Sequence, residues 1–436
     1  MLRRKILDRL GEWYESGRYK APLLCGARQV GKTTAVREFA KLHYEHLVEV
    51  NFVKRPIARQ AFDGDLTTQA IVTNLSAMGF GPFVEGKTLL FLDEIQECPN
   101  ARTAIKFLVE EHIYDCIESG SLLGINYKPV PSYPVGYEEE YDVYPMDFEE
   151  FLWAKGIQPE VYDIVRKAYL ELKPVPDFIH QQLSRYYREY LVVGGMPEVV
   201  QKFVTTPDFG EVVKAQRSII TTYRSDITNY AGRHATLVKR VFDAIPSELG
   251  KQDKRFILAD IEKGASLRKY EDPTQWLADA GVAYYSFNTS AFELPFESTE
   301  NRRLYKLYMV DTGLLCSQLL RGMQFQVMNG EIGINEGALT ENFVACALAS
   351  QDIPLHYYDR KSKLELDFVI PDDDGICIIE VKSGDDYKRH ASLNNAIVNN
   401  SLRISRSIVL SKYNVEFTGG IIYLPLYMAA MIAQVR

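Results

Sequence analysis

The stretch Cys25-Gly-Ala-Arg-Gln-Val-Gly-Lys-Thr-Thr-Ala35, "CGARQVGKTTA", decides how the rest of the chain is read. It follows a short apolar run, "APLL", and precedes a helical pattern, "VREFAK", so it reads as buried strand, glycine turn and helix. Gly26 and Gly31 bracket the spacing GxxxxGK[ST], which Lys32 and Thr33 complete. Glycines let successive backbone N–H groups curl around phosphate oxygens, and the helix that follows turns its positive end toward them. On this reading Gly26, Ala27, Arg28, Gln29, Val30, Gly31, Lys32, Thr33 and Thr34 form a nucleotide cradle. Lys32 reaches the β- and γ-phosphates of ATP, and the Thr33 hydroxyl ligates Mg²⁺.

A second stretch supports it. "KTLLFLDEIQECPNA" carries an unbroken apolar run, Leu89 to Leu92, ending in Asp93-Glu94. Such a run suits a strand buried on both faces of a parallel sheet, whose carboxyl edge is where ligand binds. Asp93 is then expected to hold the Mg²⁺ shell and Glu94 to act as general base toward water. "HLVEVNF" and "YDCIESGSLLGI" read as two more strands of that sheet. Ser119, at the end of the second, is either a γ-phosphate sensor or a cap for the next helix.

The 436 residues exceed the size at which one core usually stops growing, so several domains are expected. Hydrophobic residues make up 46% and charged residues 25%, as in ordinary globular proteins. A net charge of −8 argues against a protein that coats nucleic acid nonspecifically. Six scattered cysteines without a CxxC pair, and a charged amphipathic start instead of a signal peptide, point to the cytoplasm. The most apolar segment, "GGIIYLPLYMAAMIAQV", reads as a strand and a buried helix, so no membrane partner is expected.

In the last third, "KSKLELDFVIPDDDGICIIEVKSG" reads as a hairpin. Glu380 and Lys382 share one strand face, and the turn at residues 371–375 brings Asp367 alongside. Two carboxylates and a lysine so placed could hold Mg²⁺ and orient a water. The same short pattern also arises by chance in charged hairpins.

The ordered set "GARQVGKTT", "LLFLDEIQE", "SGSLLG", "YPMDFEEFLWA", "GGMPEVVQKF", "TYRSDI", "KLYMVDTGLL" and "EGALTENFVACAL" resembles archaeal and bacterial AAA-type ATPases that carry a C-terminal nuclease-like domain of uncertain function. Glu118 departs from the apolar or threonine-like residue usual before the sensor. The resemblance implies an α/β fold in four parts. These are a P-loop parallel-sheet ATPase domain (1–155), a helical lid (156–235), a winged-helix-like middle (236–312) and a restriction-endonuclease-like α/β domain (313–436). The last part resembles the PD-(D/E)xK nucleases, in which an upstream helical glutamate joins the metal site. Glu341 takes that place beside Asp367 and Glu380, with Lys382 as the catalytic lysine. In the middle, Arg268 and Lys269 near a recognition helix and Arg302, Arg303 and Lys306 near a wing make DNA a candidate partner, although neighbouring acids dilute the charge. AAA-type domains often form rings, which leaves a homo-oligomer open; Arg185, Arg224 and Arg233 are candidates for a finger, and none is singled out. Against this ATPase coupled to a nuclease-like domain stands a nucleotide-controlled switch or binding scaffold with an inert C-terminal domain.

Overall fold

The computed structural model describes residues 2–121, 131–319, 324–329, 336–360, 364–400 and 403–434. Leu122–Gly124 and Lys361–Lys363, parts of two motifs quoted above, lie outside that range. The chain divides into two compact units, Arg3–Tyr144 with Asp279–Gly281, and Pro145–Ala278 with Val282–Arg436.

The first unit is built on five parallel strands, β1 (Ala21–Cys25), β2 (His46–Asn51), β3 (Thr88–Asp93), β4 (Asp115–Ser119) and β5 (Glu138–Asp142), in the order β2-β3-β4-β1-β5. Every residue of β1 and β3 is buried, as central strands of a sheet covered on both faces require. Helix α1 (Lys5–Glu15) turns Ile6, Leu10 and Trp13 inward, and α2 (Lys32–His43) turns in Ala35, Val36, Phe39 and Ala40. Both follow the spacing of one helical face.

The second unit opens with helices Phe148–Ala154, Pro159–Glu171, Asp177–Val193, Pro197–Thr205, Phe209–Tyr230 and Ala235–Leu249. The motifs of the family resemblance meet here in one buried knot. A Cβ on Gly195 would lie 2.0 Å from the Met146 carbonyl oxygen, and one on Gly313 would lie 2.4 Å from that of Val193. Only glycine permits such backbone approach. Asp311 accepts the Gly195 N–H at 2.6 Å and the Leu314 N–H at 2.8 Å. Phe343 packs edge-on to Phe148, Tyr187 and Tyr190.

An eight-stranded mixed sheet follows: β6 (Ala283–Thr289), β7 (Glu300–Met309), β8 (Leu355–Asp359), β9 (Glu365–Asp372), β10 (Gly375–Val381), β11 (Ile404–Ser411), β12 (Glu416–Thr418) and β13 (Ile421–Pro425). Their order is β12-β13-β11-β10-β9-β8-β6-β7. The expected boundary between a winged-helix middle and a C-terminal domain falls within this sheet. The strand pair read as a wing, β6 and β7, is continuous with the later strands, because β6 pairs in parallel with β8. The C-terminal apolar segment forms β13 and the short helix Met431–Gln434, and among the described residues no helix is long and apolar enough to cross a membrane.

Candidate functional site

Parallel register brings the first site together. Asn51 pairs with Asp93 across β2 and β3, Asp93 with Ser119 across β3 and β4, and Ser119 with Leu24 of β1. Three polar side chains thus stand level at the carboxyl edge of the sheet, next to the strand that runs into residues 26–34. The loop backbone turns where the motif demands it: Gly26 and Gly31 take positive φ, at 152° and 98°, as glycine does freely, and Gln29 takes it at 67°. A Cβ on Gly26 would sit 2.3 Å from the Val143 carbonyl oxygen, so the segment after β5 closes the back of the loop.

The loop is filled by its own lysine. Lys32 Nζ donates to the carbonyl oxygens of Gly26 and Ala27, both at 2.9 Å. Burial pushes its pKa down to about 8, against the opposing pull of Glu94, Cys25 and Asp93. The Thr33 hydroxyl lies 3.3 Å from both oxygens of Asp93. Asp93 is buried and further held by the Asn51 amide at 2.7 Å and by the Ser119 hydroxyl. Glu94 leaves the strand in a left-handed conformation, φ 58°, and its carboxylate accepts the Gln96 amide at 2.5 Å.

Two residues of this group escape motif reading. Asn51 ends a strand whose only mark is its apolar alternation, and it does double duty, its Oδ1 accepting the N–H groups of Val53 and Lys54. Gln96 follows the acidic pair by two residues, and only the turn at Glu94 brings its amide back. Glu118 departs from the site altogether. It is wholly buried, both its oxygens are without a hydrogen-bond partner, and Arg102 engages Glu138 at 2.7 and 2.9 Å instead. Burial therefore drives the Glu118 carboxyl well above its ordinary range, with the charge of Glu138 adding to the rise and Arg102 opposing it.

The second constellation is assembled differently from its expected form. Glu380 and Lys382 do share a face and pair at 2.6 Å. Asp367 comes beside them, its Oδ2 accepting the Val381 N–H at 2.8 Å. Burial and the nearby charges of Glu341 and Glu380 push the Asp367 carboxyl up. Glu341, however, is taken by cations: Lys306 at 3.0 Å and Lys254 closer still, with the Tyr308 hydroxyl at 2.5 Å. These partners hold its carboxyl down to about 2 despite its burial. Among the described residues no three His, Cys, Asp or Glu side chains form a group that could hold a metal ion, Glu341, Asp367 and Glu380 included.

Lys306, expected on a DNA-binding wing, is completely buried between Glu341 and Glu365, over the ring of Tyr357. Of the other basic residues in that reading, Lys269 pairs with Glu262 at 2.7 Å and Arg302 with Glu300 at 3.2 Å. The finger candidates are likewise engaged locally. Arg224 meets Asp243 at 2.7 Å, Arg185 meets Glu189 at 3.7 Å, and Arg233 donates to His234 at 2.9 Å.

Residues 18–152 match a family model described as "AAA domain". That stretch covers the P-loop spacing and the parallel sheet of the first unit. Residues 184–324 and 336–428 match two models described as "Domain of unknown function (DUF8612)" and "Domain of unknown function (DUF4143)". No curated protein matches the chain. Among solved structures, the Walker-type ATPase of Pyrococcus abyssi is similar at 13% identity and a TM-score of 0.42, covering 73% of this chain and 96% of that one. A RuvB variant from Thermotoga maritima is similar at 16% identity and a TM-score of 0.30, covering 65% and 89%. Cdc6p from Pyrobaculum aerophilum is similar at 11% identity and a TM-score of 0.25, covering 76% and 94%. These are distant likenesses; the matched AAA domain and the geometry of its loop carry the functional reading.

Proposed function

We propose that the AAA domain binds and hydrolyses ATP with Mg²⁺. The observation that carries this is the facing of the Thr33 hydroxyl and the Asp93 carboxylate beside a loop whose lysine is already turned inward. The donor set fits Mg²⁺, which prefers hard oxygen ligands and keeps several of its waters. Thr33 and Asp93 would hold it, and when bound it neutralises charge on the β- and γ-phosphates. Nucleotide displaces Lys32 Nζ from the Gly26 and Ala27 carbonyls onto phosphate oxygens. Asn51 and Ser119 keep the Asp93 carboxylate aimed at Thr33. Glu94 takes the proton of the attacking water, released for this from the amide of Gln96.

Binding of a fluorescent adenine nucleotide and phosphate release test the reading. Lys32→Ala should lose saturable binding. Glu94→Gln should keep it while turnover falls at least a hundredfold, the usual effect of losing a general base. Wild-type protein that binds no nucleotide, with or without Mg²⁺, refutes the proposal.

For the second unit, the cation pair on Glu341 favours the scaffold reading over a nuclease. A carboxylate already neutralised by Lys254 and Lys306 has little left to offer a metal. The unit then responds to nucleotide without cutting DNA. Cleavage of single- or double-stranded DNA in Mg²⁺ or Mn²⁺ that is lost in Asp367→Ala and Lys382→Ala would overturn this and restore the nuclease.

A further inference from the structure

Arg4 lies far from every motif in the sequence, yet its guanidinium ends against the phosphate loop. It is 8% exposed. Its Nη1 donates to the Val30 carbonyl and its Nη2 to the Tyr144 carbonyl, both at 2.7 Å. Those two carbonyls belong to the loop itself and to the segment that closes its back. Val143 N–H bonds the Cys25 carbonyl at 2.7 Å, and its own carbonyl limits Gly26 to a residue without a side chain. A single planar cation, with donors fixed in a fork, therefore ties the loop to its back wall.

We propose that Arg4 is a positioning residue for the nucleotide: it sets the plane of the Val30–Gly31 peptide, and through it the N–H of Gly31. The inference rests on the ATP-binding reading above. In a trans peptide the carbonyl and the following N–H point in opposite directions. With the Val30 carbonyl drawn back onto Arg4, the Gly31 N–H faces the concave side of the loop, where the β-phosphate is cradled. Gly31 has φ 98°, in the region that only glycine enters freely, so on the Gly31 side no side chain holds the plane against turning. Turned over, it would offer a carbonyl oxygen to a phosphate oxygen in place of a donor. Arg4 excludes that state before nucleotide arrives, which is preorganisation in the sense of a lowered ordering cost on binding.

The test compares wild type, Arg4→Lys and Arg4→Ala by three readouts: Kd for ADP and for ATP with Mg²⁺, kcat and KM for ATP hydrolysis, and thermal unfolding without nucleotide. Lysine keeps charge and stem but has no fork to span two carbonyls, so Arg4→Lys serves as the folded variant if alanine is not tolerated. The expected result is a rise of about tenfold in Kd, equal for ADP and ATP because they share the β-phosphate, with KM rising in step and kcat changing less than about threefold. Arg4→Lys should show the same pattern with its apo melting temperature little changed. Three results overturn the inference: variants that bind ADP as tightly as wild type, a loss confined to ATP, or a lower melting temperature and active fraction with Kd unchanged, which marks Arg4 as merely structural. Wild-type protein that binds neither nucleotide sinks the ATPase reading and this inference together; wild type that binds while the variants match it sinks the inference alone.

Discussion

Raising the pH from 7 to 9 should weaken nucleotide binding through one side chain, Lys32. In the free loop its pKa is pushed down to about 8, by burial first, and is supported by Glu94, Cys25 and Asp93 and opposed by Arg28. A lysine of that pKa is about nine-tenths charged at pH 7 and about one-tenth charged at pH 9. Phosphate oxygens placed against Nζ favour the charged form, so the bound lysine keeps its proton throughout this window. Binding at pH 9 must then recharge it, and Kd rises about tenfold, or about 1.4 kcal/mol. The sign in the free protein is opposite. A lowered lysine pKa costs stability at neutral pH, and that cost fades as pH climbs from 8 toward the ordinary lysine range. The other groups facing Nζ do not mimic the effect: burial pushes the Cys25 thiol above the window, and a nucleotide's terminal phosphate, with a second pKa of about 6, is already deprotonated. Anisotropy of labelled ADP at constant ionic strength measures it. A flat Kd between pH 7 and 9, or one that falls, refutes the assignment of Lys32 to the phosphates.

Asn51→Ala should raise the Mg²⁺ concentration for half-maximal turnover by about tenfold, because a hydrogen bond that aims a metal-holding carboxylate is lost; an unchanged Mg²⁺ titration counts against the Asp93 role. Glu118→Met should stabilise the AAA domain by about 1–3 kcal/mol in urea unfolding, since it removes two buried oxygens that have no partner. Lys306→Met should cost about 3–5 kcal/mol, as it leaves Glu341 and Glu365 short of a buried cation. If Lys306 were instead a phosphate contact on an exposed wing, the same change would leave stability alone and weaken DNA binding.

What the sequence made legible followed from local order. Strand, glycine turn and helix are neighbours in the chain, so the loop at residues 26–34 could be read without knowing the sheet. The apolar run of β3 announced burial on both faces because nothing polar interrupts it. Asn51 and Arg4 were not legible, for a common reason. Asn51 acquires its role from the register β2 takes beside β3, and Arg4 from a backbone carbonyl, which no residue type marks.

The basic residues of β7 show where reading by composition breaks down. "ENRRLYKLYM" looks like one charged strand, yet its first half is solvent-facing and its second half buried. Helices Ala235–Leu249 and Glu336–Ala349 pack against it. A lysine buried in this way must find carboxylates, and it finds Glu341, the residue that the nuclease resemblance had reserved for a metal. One burial event therefore displaces two expectations at once: the wing loses its phosphate-binding lysine, and the metal site loses the glutamate meant to complete it. Since each charge satisfies the other inside the second unit, a return to either function requires that the pair be broken, at the several kcal/mol that unpaired buried charges cost.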